Sequence, residues 1–531
     1  MPVIHQLCCK NLVRPSPFLN LDTTLTNFMR IVLPFFWFVY PFITLGCDPK
    51  DQSTEFPALP EIVVPDPVPE SPSPTDETVK HFTISLVGEV RGELEPCGCP
   101  TLPYGGFPRR TKALEEIRSN HSTVFHLDAG ETLLKGFFSN KDTTAGDRAL
   151  LIGELSKDVG VDVWTVGPSD LMAVGMNTLQ TMNGPSRISA TWRDPDGALY
   201  FKPYTVLEKD GVRLAVIGLS TAPTDPRFQF IQTTPAKEAL SETLSKLPNN
   251  VDLIVALGSM DDEEVDRLQQ VFPEIQLFLT TEGASFEEPK HTPDGTQIIE
   301  APKQGRFIHN IHIRHTTPLG QLNNRLPDSD WRTWFMIQND PTHPVQQKMR
   351  RLGSKRNLYY TELVPLSATY DDKTNANTKI ERFAKETIQQ SQLIADKPTT
   401  NSEPGFAASG RCAQCHTAEM AKWSFSKHAR AWESLLTHSV EGSTDNPDCI
   451  SCHTTGFGQI GGFGEPTPSN IRKFKAVQCE ACHGPLNGHP NETSVQPTPI
   501  TVQTCIGCHD EANSPDFDFK SYMQQATCQS K

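Results

Sequence analysis

Apolar and polar residues alternate in blocks along residues 81–315, and the lengths of the blocks predict strands and helices in turn. Short apolar runs predict buried strands at residues 81–87, 123–127, 162–166, 212–218, 253–257, 275–280 and 307–313. Segments between the strands predict helices at 109–117 and 148–157. Strands that alternate with helices are typical of a layered α/β domain. The pattern therefore predicts one such domain over residues 81–315.

The pattern changes on both sides of this domain. Residues 48–80 are dense in Pro, Ser, Asp and Glu, which favours extended backbone and predicts a linker without a core. Residues 316–409 are mostly polar and predict helices at 344–351 and 378–395, the second with apolar residues at helical spacing. We interpret 316–409 as a helical connector between two domains, of which the second covers residues 410–531.

The N-terminal residues have the features of an export signal. Met29 and Arg30 precede an apolar run at 31–45, which is followed by a glycine and Cys47. A basic start, a short apolar core and a small residue at the processing point indicate a signal peptide over residues 1–47. The end of the run resembles a lipoprotein lipobox, which predicts a lipid anchor at Cys47; an uncleaved anchor and simple secretion are the alternatives. We expect Met29 to be the true start, because it opens a cleaner signal.

A five-residue pattern, C-x-x-C-H, occurs four times in residues 410–531. Two cysteines at this spacing can form thioethers to the two vinyl groups of one haem, and the adjacent histidine then binds the iron. A single copy could be a redox dithiol or half of a zinc site, but four copies predict four covalently attached haem c groups. The predicted attachment residues are Cys412, Cys415, Cys449, Cys452, Cys479, Cys482, Cys505 and Cys508, and the predicted proximal iron ligands are His416, His453, His483 and His509.

The net charge and the haem-motif cysteines restrict the cellular compartment and the classes of partner that we expect. A formal net charge of -15 argues against nucleic-acid binding, which requires a basic surface. The acidic charge favours redox-protein partners with a basic patch, although solubility alone explains it equally well. Haem c is attached outside the cytoplasmic membrane, so we expect a periplasmic or cell-envelope protein. Cys97, Cys99 and Cys528 lie outside the haem motifs, and the sequence leaves open whether they pair, bind a ligand or stay free.

Three further histidines in the last domain are candidates for the second axial position of an iron. His428 lies in a predicted helix at 423–432, His489 follows the third motif, and His438 lies between the first two motifs. The segments around His428 and His489 resemble the cytochrome c-554 and c-prime family of tetrahaem proteins. That resemblance implies a small, mostly helical or irregular domain in which these histidines are distal ligands and one haem can be five-coordinate. For His438, a helix-end histidine facing water is the alternative.

Three distal candidates for four irons leave one iron without a histidine. Its sixth position could stay open or take a methionine, Met420 or Met523. A histidine from the first domain is a further alternative, for which His309, His312 and His315 are candidates, although a plain strand at these positions is the better interpretation.

Residues 80–315 resemble the calcineurin-like metallophosphoesterases of the 5'-nucleotidase type. The resemblance is carried by Gly92 to Cys99, by the Gly105-Gly106 and Arg109-Arg110 pairs, and by the Asp128-Ala-Gly step. It implies an αββα sandwich with two metals on loops that carry D-x-H, G-D, G-N-H and G-H-x-H motifs.

The chain departs from that family at the metal-binding loops themselves. Glu89-Val-Arg91 replaces D-x-H, Gly130-Glu131 replaces G-D, and Gly167-Pro-Ser169 replaces G-N-H. No histidine remains at these positions, although imidazole is the ligand that makes such sites tight for transition metals. We therefore predict a pseudo-phosphoesterase scaffold without the two-metal site. A residual hard-cation site is the alternative, with the candidate ligands Glu89, Asp128, Glu131 and Asp170.

The sequence thus favours a multihaem cytochrome that relays electrons and carries a scaffold domain. We assign no catalytic residue in either domain. Two alternatives remain. The first is an oxidoreductase that acts on a small nitrogen or sulfur substrate at an open haem iron. The second is a metallophosphatase or nucleotidase fused to a cytochrome.

Overall fold

The computed structural model describes most of the chain from residue 79 onward. The described residues are 79–96, 104–134, 144–281, 290–291, 297–316, 320, 322–325, 344, 357–370, 373–400, 404–437, 442–510, 513–514 and 516–526. The predictions for the signal segment, for nearly all of the linker and for the helix at 345–351 lie outside them. So do those for Cys97, Cys99, Cys528 and His438.

Strands and helices are numbered in chain order over the described residues. The strands are β1 (Lys80–Val87), β2 (Val124–Asp128), β3 (Val163–Thr165), β4 (Ser186–Ile188), β5 (Trp192–Arg193), β6 (Tyr204–Lys209), β7 (Val212–Leu219), β8 (Gln232–Thr233), β9 (Leu253–Gly258), β10 (Leu277–Thr280), β11 (Lys290–His291), β12 (Gln297–Glu300), β13 (Phe307–His315), β14 (Leu322–Arg325), β15 (Asn357–Pro365) and β16 (Asn487–Pro490). The helices are α1 (Phe107–Asn120), α2 (Ala145–Asp158), α3 (Pro168–Thr181), α4 (Ala236–Leu244), α5 (Asp262–Val271), α6 (Asn375–Ala395), α7 (Ser409–Cys412), α8 (Thr417–Ser424), α9 (Ala431–Leu436), α10 (Pro447–His453), α11 (Pro468–Phe474), α12 (Cys479–His483), α13 (Val502–Ile506) and α14 (Phe519–Ala526).

Two sheets stack face to face in the first domain. Over the described residues, one has the strand order β14-β15-β13-β1-β2-β3-β4 and the other the order β11-β12-β10-β9-β7-β6. Strands β1 to β4 run parallel, as do β7, β9, β10 and β12, while β13 pairs antiparallel with β1. Parallel strands place the loops that follow them at one edge, where binding residues of α/β folds usually lie.

Three apolar layers hold these sheets and their helices together. The inner faces of both sheets form one cluster, to which Ile84 and Leu86 contribute from β1 and Val216 and Val255 from β7 and β9. A second cluster joins the outer face of the first sheet to α1, α2, α3 and α6, and a third joins the outer face of the second sheet to α4 and α5. The order helix, sheet, sheet, helix confirms the predicted αββα class.

The strands and helices predicted for residues 81–315 are confirmed, with small shifts at their ends. The sheet extends further than the sequence indicated, because β15 pairs with β13 from Leu358 to Pro365. Strand β15 lies inside the segment 316–409 that was interpreted as a helical connector. Its alternation of Leu, Tyr, Thr and Glu is weakly apolar, so the strand was not predicted.

Helix α6 contacts both domains. Ile380 and Phe383 belong to the apolar cluster of the first domain. At the other end of the helix, the Oε1 atom of Gln392 accepts hydrogen bonds from the backbone of Glu465 (2.8 Å) and from the side chain of Asn470 (2.9 Å). This packing agrees with the interpretation of α6 as a helix between two domains. In the described part of the chain, no helix combines the length and the apolarity that a membrane crossing requires.

Candidate functional site

Each C-x-x-C-H motif forms about one helical turn. In the first motif the backbone N–H of His416 donates to the carbonyl of Cys412 at 2.9 Å, and in the fourth His509 donates to Cys505 at the same distance. Residues at i, i+3 and i+4 lie on one face of a helix, so this turn places both thiols and the imidazole of a motif on the same side. That arrangement fits one haem with two thioether bonds and a proximal histidine.

The four motifs approach one another in two pairs that the sequence order does not reveal. The thiol of Cys412 contacts Cys479, so the first motif lies beside the third; this contact lowers the pKa of Cys412 to about 7. The Sγ atom of Cys452 lies 3.8 Å from the carbonyl oxygen of Gly507, so the second motif lies beside the fourth. Haems attached at these positions would be neighbours within each pair.

Two proximal histidines are oriented by hydrogen bonds that the sequence did not indicate. The Nδ1 atom of His453 lies 2.6 Å from the carbonyl oxygen of Ala431. A carbonyl can only accept, so Nδ1 carries the proton and Nε2 is left as the iron-binding atom. The Nδ1 atom of His509 lies 2.8 Å from the hydroxyl of Ser514, which orients this ring; a hydroxyl can donate or accept, so this bond does not set the position of the proton.

His428 lies in a 3₁₀ turn, His428–Arg430, between α8 and α9, not in one continuous helix as predicted. The difference follows from tertiary contacts of the backbone. The N–H of Val477 donates to the carbonyl of His428 at 3.1 Å, and the indole of Trp423 donates to the carbonyl of Val477 at 2.8 Å. These hydrogen bonds hold the turn against the segment that immediately precedes the third motif.

The ring of His428 faces the proximal histidine of the fourth motif. The centroids of the His428 and His509 rings are 6.1 Å apart. Two metal–nitrogen bonds of about 2 Å, with roughly 1.1 Å from each nitrogen to its ring centre, add up to about 6 Å. The length of this separation is compatible with one iron between the two imidazoles, whose planes are inclined at 61°. Burial lowers the pKa of both histidines, which favours the neutral form that binds iron.

His489 lies within β16 and is half-buried. Within the described part of the chain its Nδ1 atom is buried and has no hydrogen-bond partner. An unsatisfied buried polar atom costs free energy, and metal ligation through the same ring is one way in which such a histidine is used. The position is compatible with the predicted distal role. The contacts of the described residues do not assign this histidine to a particular haem motif.

The last domain has a small apolar core for its length. Over the described residues its buried apolar cluster consists of Phe406, Ala408, Trp432, Leu435, Ile450, Phe463 and Phe474. The motif cysteines are partly or fully accessible, as covalent attachment requires. The side chain of Phe425 is 81% exposed and that of Leu436 65%. Large exposed apolar side chains beside accessible motifs fit a domain whose core is completed by haem.

The other iron-ligand candidates are three histidines of the first domain and two methionines of the second. His309, His312 and His315 lie on β13, where they contact the backbone of Glu300, the hydroxyl of Thr83 and the backbone of Asp252. These partners belong to the first domain and agree with the interpretation of a plain strand. Met420 and Met523 are partly buried on α8 and α14.

The carboxylates at the loop edge of the first domain accept hydrogen bonds from the chain itself, except that Oδ2 of Asp128 is buried and has no hydrogen-bond partner among the described residues. Asp170 accepts from the backbone N–H groups of Gly167 (2.9 Å), Thr132 (2.8 Å) and Leu133 (2.8 Å). Asp128 accepts from the backbone of Gly130 (3.0 Å) and the hydroxyl of Thr132 (2.8 Å). Burial raises the pKa of Asp170 to about 8 and that of Asp128 to about 6. Both oxygens of Asp170 are thus engaged by backbone N–H groups, which disfavours metal binding by this carboxyl.

The cation at this edge is also paired within the chain. Arg91 lies 3.2 Å from the carboxylate of Glu89, at the position where the sequence resemblance predicts a histidine ligand. Glu131 accepts from the backbone N–H of Ser169 at 3.0 Å. Over the described residues, no group of three or more His, Cys, Asp or Glu side chains is arranged to hold a metal ion. These contacts do not fit a two-metal site.

Comparison with known proteins separates the two domains. Residues 411–484 match the family described as cytochrome c554 and c-prime, and this match includes the first three motifs. Cytochrome c-554 of Nitrosomonas europaea is 33% identical over 105 residues, which are 18% of this chain and 41% of the relative. Both matches support covalently bound haem c in this domain.

The first domain matches a different group of proteins. The snake venom 5'-nucleotidase of Gloydius brevicauda is 27% identical over 186 residues, 31% of this chain and 30% of the relative. The structure of a 5'-nucleotidase precursor from Thermus thermophilus superposes with a TM-score of 0.43 at 17% identity and covers 60% of this chain and 61% of that one. The chain spans less than half the length of both curated relatives. The chain thus combines an αββα domain similar to 5'-nucleotidase-type phosphoesterases with a C-terminal domain similar to the cytochrome c554 and c-prime family.

Proposed function

We propose that the protein is a multihaem c-type cytochrome that carries four haems and relays electrons between redox partners. The observation that carries this proposal is the contact between motifs, first with third and second with fourth. Motifs that touch bring their attached rings close together, which electron transfer through a protein requires. The haems supply the one-electron chemistry when attached, and the chain sets their ligands, spacing and burial.

The chain's own residues have three tasks in this function. The motif cysteines fix each ring covalently to a short helical turn. Ala431 and Ser514 hold the imidazoles of His453 and His509 with Nε2 available for iron. His428 supplies the second imidazole of the fourth motif. Two histidine ligands keep an iron six-coordinate and low-spin, a state suited to electron transfer because no position is open for a substrate.

The location and the partners follow from the sequence and are part of the proposal. Attachment of haem c requires export, and the apolar segment ending at Cys47 supports a periplasmic protein with a lipid anchor. A net charge of -15 favours docking to a redox protein with a basic surface. The αββα domain is proposed to serve as a scaffold and not as a phosphoesterase.

Rapid one-electron reduction of the haem-loaded protein tests the relay. An electron delivered by laser-flash reduction should redistribute among the haems at a rate independent of protein concentration. Spectroelectrochemical titration of the same sample should show uptake of four electrons per chain. A redistribution rate that rises with protein concentration would show that the haems exchange electrons only between molecules, which contradicts the relay.

A second candidate function is reduction or oxidation of a small nitrogen or sulfur substrate at an open iron. It is favoured by the count of histidines outside the motifs in residues 410–531, since His428, His438 and His489 are three for four irons. A ferrous high-spin haem that binds carbon monoxide, together with turnover of such a substrate, would support it. Spectra that contain only low-spin haem would rule it out.

A fused nucleotidase or phosphatase is not expected from the contacts of Asp170, Asp128 and Arg91. We predict that the purified protein contains no metal other than haem iron and does not hydrolyse nucleotides after addition of manganese or zinc. Metal analysis and phosphate release measure this directly. Metal-dependent phosphate release that is lost in Asp170→Asn but kept in the surface control Asp225→Asn would contradict the scaffold role.

A further inference from the structure

The proximal histidine of the fourth motif, His509, has an aromatic ring against one face of its imidazole. The ring of Phe517 stacks on it with centroids 5.2 Å apart and planes inclined at only 12°. The hydroxyl of Ser514 lies 2.8 Å from Nδ1 of the same imidazole. An iron binds Nε2 in the plane of the ring, so a partner at Nδ1 and a ring on the face both leave the iron position accessible. These contacts are therefore compatible with a haem at this motif.

A second aromatic ring supports this stack. Tyr522 on α14 contacts His509 edge to face with centroids 5.2 Å apart, and it contacts Phe517 in the same way at 4.8 Å. The three centroids thus form a nearly equilateral triangle, in which each ring contacts the two others. Offset-stacked and T-shaped pairs at such distances are the favoured arrangements of aromatic rings. Tyr522 therefore limits the movement of Phe517 away from the imidazole.

Local hydrogen bonds position these side chains directly after the fourth motif. The backbone N–H of Ser514 donates to the carbonyl of Asp510 at 2.7 Å, and that of Phe517 donates to the carbonyl of Ser514 at 2.9 Å. The carboxylate of Asp518 accepts from the backbone N–H of Ser521 at 2.8 Å, as a side chain that caps the N-terminus of a helix does. These turns and the cap of α14 bring both aromatic side chains back to the histidine of the motif.

The arrangement is specific to the fourth motif. Among the residues that the structure describes, no aromatic ring stacks on His416, His453 or His483. The residues around the fourth motif also lie outside 411–484, the part of the chain that matches the cytochrome family. The three rings are therefore a feature of this chain for which the family match does not account.

An imidazole that binds iron keeps one rotation that the iron bond does not prevent. Rotation about this bond changes the angle between its plane and that of the opposite imidazole, which is 61° for His428 and His509. A ring stacked on the face of the imidazole blocks this rotation sterically, and the hydrogen bond at Nδ1 opposes it as well. The angle between the two ligand planes influences the g values of a low-spin ferric haem. The restraint on His509 therefore has a spectroscopic readout.

We propose that Ser514, Phe517 and Tyr522 form a clamp that fixes the orientation of His509 and shields it from water. The fourth haem then differs from the other three in its ligand-plane angle and its reduction potential. Water beside a haem ligand stabilises the ferric charge, so the shielding keeps this potential higher. The clamp residues are positioning residues, because they act on the iron only through the histidine. Such a clamp rests on the proposed function, since it requires a haem at the fourth motif with His428 as second ligand.

Phe517→Leu tests the clamp, because leucine keeps an apolar side chain but removes the ring. The full haem-loaded chain should keep its four haems and stay low-spin. Electron paramagnetic resonance of the oxidised protein should show one low-spin signal with changed g values and a broader line, because the imidazole then samples several orientations. At a fixed potential, the ratio of oxidised to reduced fourth haem should rise about threefold, which equals a fall of about 30 mV in midpoint potential.

Phe519→Leu is the matched control, because it is the same substitution two residues away and Phe519 makes no ring contact in the described part of the chain. Its g values and potentials should equal those of the unmodified protein. Phe517→Tyr should also keep the g values, since tyrosine supplies an aromatic ring of the same shape.

Unchanged g values in Phe517→Leu, equal changes in Phe519→Leu, or a Phe517→Tyr signal that matches Phe517→Leu would each overturn the clamp. If the g values stay unchanged while laser-flash reduction still shows redistribution of electrons within one molecule, the clamp is wrong and the relay stands. Mass analysis of the peptides that shows no haem at the fourth motif would contradict both.

Discussion

Replacing His428 with alanine should convert one haem of the protein from low-spin and six-coordinate to high-spin and five-coordinate. The reason is the proposed pairing of His428 with His509 across one iron; the ring centroids are 6.1 Å apart. Removal of one imidazole leaves the iron of the fourth motif with its proximal ligand alone. Electron paramagnetic resonance of the oxidised protein should show the new high-spin signal. The reduced variant should bind one more equivalent of carbon monoxide per chain than the unmodified protein.

Lys427→Ala controls for this substitution, since Lys427 is exposed and precedes His428 directly. It should leave the spin state and carbon monoxide binding unchanged. His428→Met should restore a six-coordinate iron with a higher reduction potential, because thioether ligation favours the ferrous state. A low-spin spectrum in His428→Ala that equals that of the unmodified protein would show that another residue is the distal ligand of the fourth haem.

Replacing Arg148 with alanine should cost about 3 kcal/mol of the free energy of unfolding, the lower end of the range for breaking a buried ion pair. Arg148 is buried on α2 and donates to both carboxylate oxygens of Asp448, one of them at 3.1 Å. Its guanidinium also lies over the ring of Phe383 on α6 at 5.4 Å. The substitution leaves the carboxylate of Asp448 partly buried without its cation.

This loss of stability should come from the contact between the two domains. Arg148 belongs to the first domain, and Asp448 immediately precedes the first cysteine of the second motif in the other domain. Denaturant titration followed by haem absorption measures it, and the Arg148→Ala, Asp448→Ala double mutant should recover part of the loss. Arg227→Ala is the control, since Arg227 forms an exposed pair with Asp225 and should change stability by less than about 0.5 kcal/mol. Equal effects of Arg148→Ala and Arg227→Ala would contradict a buried interdomain ion pair.

Local patterns were sufficient to predict much of the first domain. Its central strands are continuous apolar runs, such as residues 212–218 and 253–257, because both faces of each strand are buried. Short or polar elements were missed. Strand β4 has three residues, and α3 begins at a proline and contains Gly175 at a φ of 74°, which interrupts its periodicity.

The chemistry of the haem motifs is local and was therefore predictable, whereas their arrangement is not local. The contact of Cys412 with Cys479 joins residues far apart in the chain. The carbonyl of Ala431 that orients His453 has no signature in the sequence, because every residue has a carbonyl. His428 was predicted as a ligand, but its 3₁₀ turn depends on a hydrogen bond from Val477.

The decisive measurement is the number of haems per chain. Intact mass of the protein after export and processing, combined with a pyridine haemochrome assay, measures that number. We expect the mass of the processed polypeptide plus four haems, and each of the variants Cys412→Ala, Cys449→Ala, Cys479→Ala and Cys505→Ala should alter attachment at one site. Two or fewer haems in the unmodified protein would contradict the interpretation of the four motifs.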